Sequence, residues 1–352
     1  MSLVERLARP EILALDPYSH ASWDPGLERL HANENPWRAD GDTTGAGLHR
    51  YPEPHPLAVE TRLASLYGVA PAQLIAGRGS DEGIDLLARA LLTAGRDAAL
   101  ICPPTFGMYA VATRIQGARV VEVPLRTTDW ALEVDALLAA VTPEVKLVFL
   151  CSPGNPTGRA LDARAIEHVL STLAGRAFVV VDEAYAEFSA QPTFATRLAE
   201  FPNLVVLRTL SKAYALAGAR CGALLADAAV VALLRRIIPP YSMPTPSIEA
   251  VLAALAPAPL AAAAARIGLL LGERERVAGA LAGARLVRRI APSDANFLYV
   301  ECTDAAAVVA RARAAGLLLR DFSRGPWTPG GVRVTIGSPT QNDRLIEALT
   351  RP

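Results

Sequence analysis

The sequence has no excess charge of either sign: 35 Lys and Arg stand against 35 Asp and Glu over 352 residues. Without a basic block there is no footprint for nucleic acid and no polybasic patch for a membrane surface. Cysteine is scarce, and Cys102, Cys151, Cys221 and Cys302 are scattered with no C-x-x-C spacing. Three of them border apolar runs, so they read as small buried hydrophobes in a reducing compartment. The five histidines form no pair at helical spacing, so no structural metal is expected. Long apolar runs are missing as well. The longest uncharged stretch, 250–265, is mostly alanine, contains Pro257 and Pro259, and ends at Arg266. It falls short of the ~20 residues a bilayer span needs and is expected to be a packed helix. The opening residues, "MSLVERLARPEILALDPYSH", carry Glu5, Glu11 and two prolines and lack a secretory apolar core. Together these absences predict a soluble, cytoplasmic protein without internal repeats.

What is present is apolar bulk, 51% of the chain, enough for a large core. From about 58 to 226, short apolar runs alternate with helix-like segments. The runs are "AALICPP" (98–104), "ARVVEVPL" (118–125), "VKLVFLCSP" (145–153), "AFVVVDEAY" (177–185) and "NLVVLRTLSK" (203–212). All are of the fully buried kind. Helical patterns such as "DEGIDLLARALL" (81–92) and "DARAIEHVLSTL" (162–173) separate them. This alternation predicts an α/β fold with a mostly parallel sheet covered on both faces, whose ligands bind beyond the carboxyl ends of the strands. Asn155, Asp182, Tyr185, Ser211 and Lys212 crowd those ends. After about 245 the pattern becomes helix, strand, helix, strand, a smaller α+β unit, with "YSMPTPS" (241–247) as a hinge. The expected organisation is an N-terminal arm belonging to the small domain (1–45), a large domain (46–245) and a small C-terminal domain (246–352).

Four motifs carry polar groups into this frame. In "AGRGSDEG" (76–83), two glycines, Ser80 and Asp81 open an amphipathic helix. Ser80 is the expected N-cap, and the free amides make an anion cradle. Alone, this reads as a capped helix start. It is not a dinucleotide fingerprint, because Glu82 stands where the third glycine belongs. In "VVVDEAY" (179–185), Asp182 follows an apolar run, so its carboxylate needs a cation or donors. A cap, a buried ion pair or a protonated heterocyclic nitrogen would each serve. "CSPGNPTG" (151–158) is a turn that holds Asn155 between breakers. In "RTLSKAYALAGARCG" (208–222), Lys212 ends a buried run among Thr209, Ser211 and Arg220. With few acidic partners and a cation nearby, its amine is easier to deprotonate, as Schiff-base chemistry requires. The hydroxyls and guanidinium suit a phosphate.

In this order, and with "HANENP" (31–36), "YPEP" (51–54), "CPPTFGMY" (102–109), "VDEAYAEF" (181–188) and "VRVTIG" (332–337), the chain resembles the fold-type-I, pyridoxal-phosphate-dependent aminotransferases nearly end to end. Most closely it is similar to their histidinol-phosphate subgroup. The resemblance implies that Lys212 carries the cofactor's aldehyde carbon and later shuttles the substrate proton. It implies that Asp182 pairs with the ring nitrogen, Asn155 and Tyr185 bond the ring oxygen, and Phe106 stacks on the ring. Ser80 and Asp81, with Thr209, Ser211 and Arg220, hold the phosphate, and Tyr51 reaches that phosphate from the partner of a homodimer. Arg333 binds the anion of either substrate, Arg320 and Tyr18 add selectivity for phosphate, and Asn33 lines the entrance. Two departures stand out: Phe106 where the subgroup often has tyrosine, and His31 where asparagine is frequent.

The implied reaction moves an amino group from glutamate to imidazole-acetol phosphate, giving histidinol phosphate and 2-oxoglutarate. The alternatives are an aromatic amino acid aminotransferase or a decarboxylase of a phosphorylated amino acid on the same fold. A cofactor-sensing regulator would need a DNA-binding module, for which the segment before Asn33 is too short and too weakly charged.

Overall fold

The computed structural model describes residues 2–20, 24 and 26–351. Seven strands form its main sheet: β1 (Leu74–Gly77), β2 (Ala98–Ile101), β3 (Arg119–Glu122), β4 (Val145–Cys151), β5 (Phe178–Asp182), β6 (Leu204–Thr209) and β7 (Gly222–Ala226). Their order is β1-β7-β6-β5-β4-β2-β3. Neighbours from β6 to β3 pair in parallel, whereas β7 runs against both β6 and β1.

Both faces of the sheet are covered, and for that reason its strands read as continuous apolar runs rather than alternating ones. Along β5, Phe178 and Val180 enter one apolar layer while Val179 and Val181 enter the other. The helix Ser80–Leu91 closes the first layer with Ile84 and Leu87. The helix Ala163–Thr172 closes the second with Ile166, Val169 and Leu170, and its start is fixed by Asp162, whose carboxylate accepts the Ala165 N–H. Each such buried branched side chain contributes about 1.5–3 kcal/mol.

A second sheet, β10-β11-β9-β8, is antiparallel throughout: β8 (Val287–Ile290), β9 (Phe297–Cys302), β10 (Arg320–Asp321) and β11 (Gly331–Thr335). The helices Ala305–Ala314 and Pro339–Thr350, with Val277 and Leu281 of the helix Pro257–Leu281, give it its own core.

Three expectations need correction. Residues 118–125 read as a fully buried run, but β3 lies at the sheet edge and its residues are exposed or half-buried. The alanine-rich stretch 250–265 is not one helix. It divides into Thr245–Ala254 and Pro257–Leu281, bent by 74° where Pro257 supplies the first turn of a new helix. No single helix among the described residues is long and apolar enough to cross a membrane, although this bent pair together has the length and composition. Finally, the N-terminal residues, grouped with the small unit from sequence, send Val4, Leu7 and Ala8 into the core of the large sheet.

Gly222 shows how tightly the sheet edge is built. It is in register with Gly77 on one side and Thr209 on the other. A Cβ there would lie 2.5 Å from the Gly79 carbonyl carbon, 2.6 Å from the Ser80 nitrogen and 2.8 Å from the Arg208 oxygen. All three are backbone atoms and cannot swing aside. Gly222→Ala is therefore expected to cost about 1–3 kcal/mol of stability. Urea unfolding checks this, and an unchanged midpoint refutes it.

Candidate active site

The reversed direction of β7 brings its beginning to the edge where the parallel strands end. The residues after β1, β2, β4, β5 and β6, and those before β7, thus converge on one cavity of about 240 Å³. Ser80, Asp81, Phe106, Asn155, Asp182, Tyr185, Thr209, Ser211, Lys212, Arg220 and Arg333 all line it. These are eleven of the fifteen residues singled out from sequence, drawn from segments up to 253 positions apart.

One end of the cavity is rich in donors. The helix Ser80–Leu91 begins after Gly79, whose φ of 87° places it in the left-handed region. Gly79, not Ser80 as expected, is the cap, and Ser80 is the first helical residue. No side chain caps the helix, so its first amides remain available to an anion. A Cβ on Gly79 would lie 2.8 Å from Arg220 Nη2, so only glycine lets that guanidinium approach the helix start. Arg220 itself is held by long contacts: 3.4 Å to Ser211 Oγ, 3.4 Å to Asp81 Oδ2 and 3.2 Å to the Ala217 carbonyl. Thr209 donates to Ser211 Oγ at 3.0 Å and completes the group.

The floor is formed by Asp182, which is buried. Its Oδ2 accepts the Tyr109 hydroxyl at 2.6 Å and its Oδ1 the Ala184 N–H at 3.1 Å. No Lys, Arg or His among the described residues forms an ion pair with it. Burial pushes its pKa up to about 6 despite those two donors, and the Asp81 and Glu183 charges add to the rise. Lys212, which also lines the cavity, has its pKa lowered, first by burial of the ammonium and then by the Arg333 charge, with Asp81 opposing. Its Nζ lies 5.8 Å from the centre of the Tyr185 ring, and that ring meets Phe297 edge-on at 5.1 Å. Arg333, from β11, donates Nη1–H to Asn155 Oδ1 at 2.6 Å, while its buried Nε–H has no partner among the described residues.

Four expected residues are not brought into this cavity. Arg320 is the register partner of Arg333, and both guanidinium groups lie 5.6 Å from the Phe322 ring. It therefore stands beside the site, exposed. Tyr18, 73% exposed, lines a separate hollow with His20, His55 and Arg235. Asn33 is exposed with φ 57°. Tyr51 is half exposed and packs on Tyr241 at 4.8 Å.

Sequence reasoning missed Tyr109, the donor to Asp182, although "CPPTFGMY" ends on it. It also missed a buried ion triad beneath the site. Arg208, on β6, donates to Glu183 Oε2 at 2.8 Å and to Glu187 Oε1 at 2.7 Å, tying the strand before Lys212 to the segment around Tyr185. The clue was "DEAYAEF" itself, which places Glu183 and Glu187 four residues apart on either side of Tyr185.

This fold and site define an aminotransferase-type protein. The model of the family "Aminotransferase class I and II" matches residues 30–349, and the chain belongs to that family. Within it, the chain is 48% identical to a histidinol-phosphate aminotransferase of Stenotrophomonas maltophilia, over 98% of this chain and 96% of that one. It is 49% identical to the Xylella fastidiosa enzyme of the same name, over 91% and 88%. The crystal structure of the Sinorhizobium meliloti histidinol-phosphate aminotransferase in complex with pyridoxal-5′-phosphate superposes with a TM-score of 0.75 at 28% identity, covering 86% of this chain and 82% of that one.

The electrostatics of Asp182 give a stability signature. Unfolded, its carboxyl ionises near 3.8; folded and without a bound cation, near 6. Between those values the unfolded chain has already lost a proton that the folded chain keeps, so stability falls as pH rises through the window. From pH 4 to pH 6 the ligand-free protein is expected to lose about 2 kcal/mol relative to Asp182→Asn. Urea unfolding of both proteins across that range measures the difference, and a constant difference refutes it.

Proposed function

We propose that the chain catalyses amino transfer from glutamate to imidazole-acetol phosphate, yielding histidinol phosphate and 2-oxoglutarate, with pyridoxal 5′-phosphate as cofactor. The observation that carries this reading is the pairing, in one cavity, of a buried carboxylate lacking a cation with an uncapped, donor-rich anion cradle. Asp182 would take its cation from a protonated pyridine nitrogen, and the cradle would take a phosphate ester.

The residues fit that cofactor one by one. The amides of Ser80 and Asp81, the hydroxyls of Thr209 and Ser211, and Arg220 would hold its phosphate. Asp182 would hold the ring nitrogen, Asn155 and Tyr185 the ring oxygen, Phe106 the ring face and Lys212 the aldehyde carbon. Bound there, the cofactor supplies the electron sink that side chains lack, which makes the substrate Cα–H acidic. The neutral amine of Lys212 then accepts that proton at Nζ, and its lowered pKa favours the neutral form. Arg333 binds the anionic group of either substrate, for which its half-free guanidinium is suited. Arg320, beside it, would reach the phosphate of histidinol phosphate; for Tyr18 and Asn33, which lie outside this cavity in their own chain, the roles in phosphate selectivity and at the entrance rest on the resemblance alone.

The same reading makes the protein a homodimer in which Tyr51 serves the partner's site. The segment bearing Tyr51 supports this. The side chain of Glu34 fixes it by accepting the Tyr51 N–H at 2.7 Å and pairing with Arg50 at 3.0 Å. Leu30 and Trp37 nearby are 95% and 77% exposed, more apolar surface than water favours. We place the enzyme in the cytoplasm, where its four buried free thiols stay reduced. We set the large-domain boundaries at 46 and 245, and assign 246–352 to the small domain.

Side-by-side kcat/KM values for histidinol phosphate, phenylalanine and threonine phosphate test the substrate. A clear preference for histidinol phosphate is expected; preference for phenylalanine, or CO₂ release from threonine phosphate, overturns the reading. The cofactor is tested by absorbance. The wild type is expected to show a visible band that Lys212→Ala lacks, and a wild type without one overturns the assignment. Arg333→Ala is expected to lower kcat/KM roughly a hundredfold for both glutamate and histidinol phosphate, as loss of a charged hydrogen bond does. Arg320→Ala is expected to weaken chiefly the phosphate substrate, and equal losses refute this division.

A further inference from the structure

We infer that Tyr109 is a positioning residue for the cofactor nitrogen, acting through Asp182: its hydroxyl holds Oδ2 so that the carboxylate stays charged and aimed into the cavity. The inference rests on the functional reading of the pocket given above. Three observations carry it.

The first is the scarcity of partners. Among the described residues, Asp182 accepts only the Tyr109 hydroxyl and the Ala184 N–H, one on each oxygen, and forms no ion pair. Each oxygen therefore has one donor and keeps a lone pair for a ligand. Removing the tyrosine hydroxyl leaves a fully buried carboxylate with a single backbone donor, and such a group takes up a proton instead of remaining an anion. A carboxylic acid cannot keep a facing pyridine nitrogen protonated.

The second is rigidity. Tyr109 is fully buried, and its ring stacks on Phe149 with centroids 4.8 Å apart and planes 7° from parallel. Thr113 Oγ1 donates to the Tyr109 carbonyl at 2.7 Å, fixing the helix Met108–Ile115 at that turn. The hydroxyl is thus held at 2.6 Å from Oδ2 by packing on the ring rather than by a flexible stem. Burial, and then the Asp182 charge, push the phenol's own pKa well up, so it stays protonated and keeps its hydrogen for a neighbour, with Asp182 and Cys151 both within its reach.

The third is linkage. The edge of the Tyr109 ring system also meets Phe106, at 5.7 Å and 85°. Phe106 lines the cavity as the residue expected on the cofactor ring face. One buried tyrosine therefore registers the group for the ring nitrogen against the group for the ring face.

The test is Tyr109→Phe, which keeps the stack and deletes only the oxygen, made both in wild type and in Asp182→Asn. Cofactor-stripped protein is titrated with pyridoxal phosphate, and the reloaded enzyme is assayed. In the wild-type background, the dissociation constant is expected to rise about tenfold and kcat/KM to fall ten- to a hundredfold. The nitrogen NMR shift of isotopically labelled pyridoxal phosphate is expected to move toward its unprotonated position. In the Asp182→Asn background the same change is expected to alter cofactor affinity by less than twofold. Equal losses in both backgrounds, or no loss in wild type, overturn the inference and make the bond merely structural. Should the Phe variant not fold, Tyr109→His, which retains a ring N–H donor, decides: affinity within about threefold of wild type supports the role, and a larger loss overturns it. Failure of wild type itself to bind pyridoxal phosphate would instead overturn the functional reading, so the two failures are distinct.

Discussion

Strand β7 runs against its neighbours, and the site depends on that reversal. In a wholly parallel sheet only strand ends would face the cavity. Because β7 starts at this edge, Arg220, two residues before it, arrives opposite the uncapped helix that follows β1. A guanidinium and a row of amides thus converge on one point. Gly79 and Gly222 make the approach sterically possible, the first by a left-handed backbone and the second by having no Cβ. The anion cradle is a property of sheet topology before it is a property of any side chain.

Neighbouring carboxylates at the end of β5 show how the same burial serves two ends. Glu183 is buried and paired, with Arg208 donating to it and to Glu187. Removing one partner from such a triad typically costs 3–5 kcal/mol, because the remaining charge is left uncompensated. Asp182, one residue earlier and equally buried, has neutral donors only. A fold that can supply an arginine to one of two adjacent acids and withholds it from the other leaves that acid poised for a cation from outside. A strongly perturbed group of this kind in a cleft marks function. The ion triad in turn ties β6 to the Tyr185 segment, so the acid without a cation sits next to one anchored by it.

Much of this was legible in the chain, and what was not has physical reasons. Strands β4, β5 and β6 read directly from 145–153, 177–185 and 203–212, because burial on both faces leaves no polar alternation to confuse. The polar residues just beyond them proved to line one cavity. Residues 118–125 are also mainly apolar, although Arg119 and Glu122 bracket the strand, and β3 is an edge strand. Position within a sheet is set by pairing order, which composition does not encode. Pro257 reads equally as the interruption of a helix or the start of one, and only the 74° bend decides. Tyr109 lies 73 positions from Asp182, and no periodicity links a helix residue to the strand end above it. Tyr18, Asn33, Tyr51 and Arg320 rest on resemblance alone, and none lines the cavity of its own chain.

Arg333 joins the two sheets into one site. It comes from the smaller, antiparallel sheet, yet its guanidinium hydrogen-bonds Asn155 on the turn after β4. That turn is itself bound to the smaller unit: Asp294 accepts the Ala160 N–H at 2.9 Å, and its own N–H reaches the Gly158 carbonyl at 2.7 Å. The Arg333 guanidinium and the Asn155 amide are therefore tied together by hydrogen bonds that cross between the two sheets. An anion arriving at Arg333 can take its unpartnered Nε–H while Nη1–H stays on Asn155 Oδ1, so the proposed substrate and cofactor contacts would share one guanidinium. No conformational wire is needed to link them, because a single guanidinium spans both proposed roles.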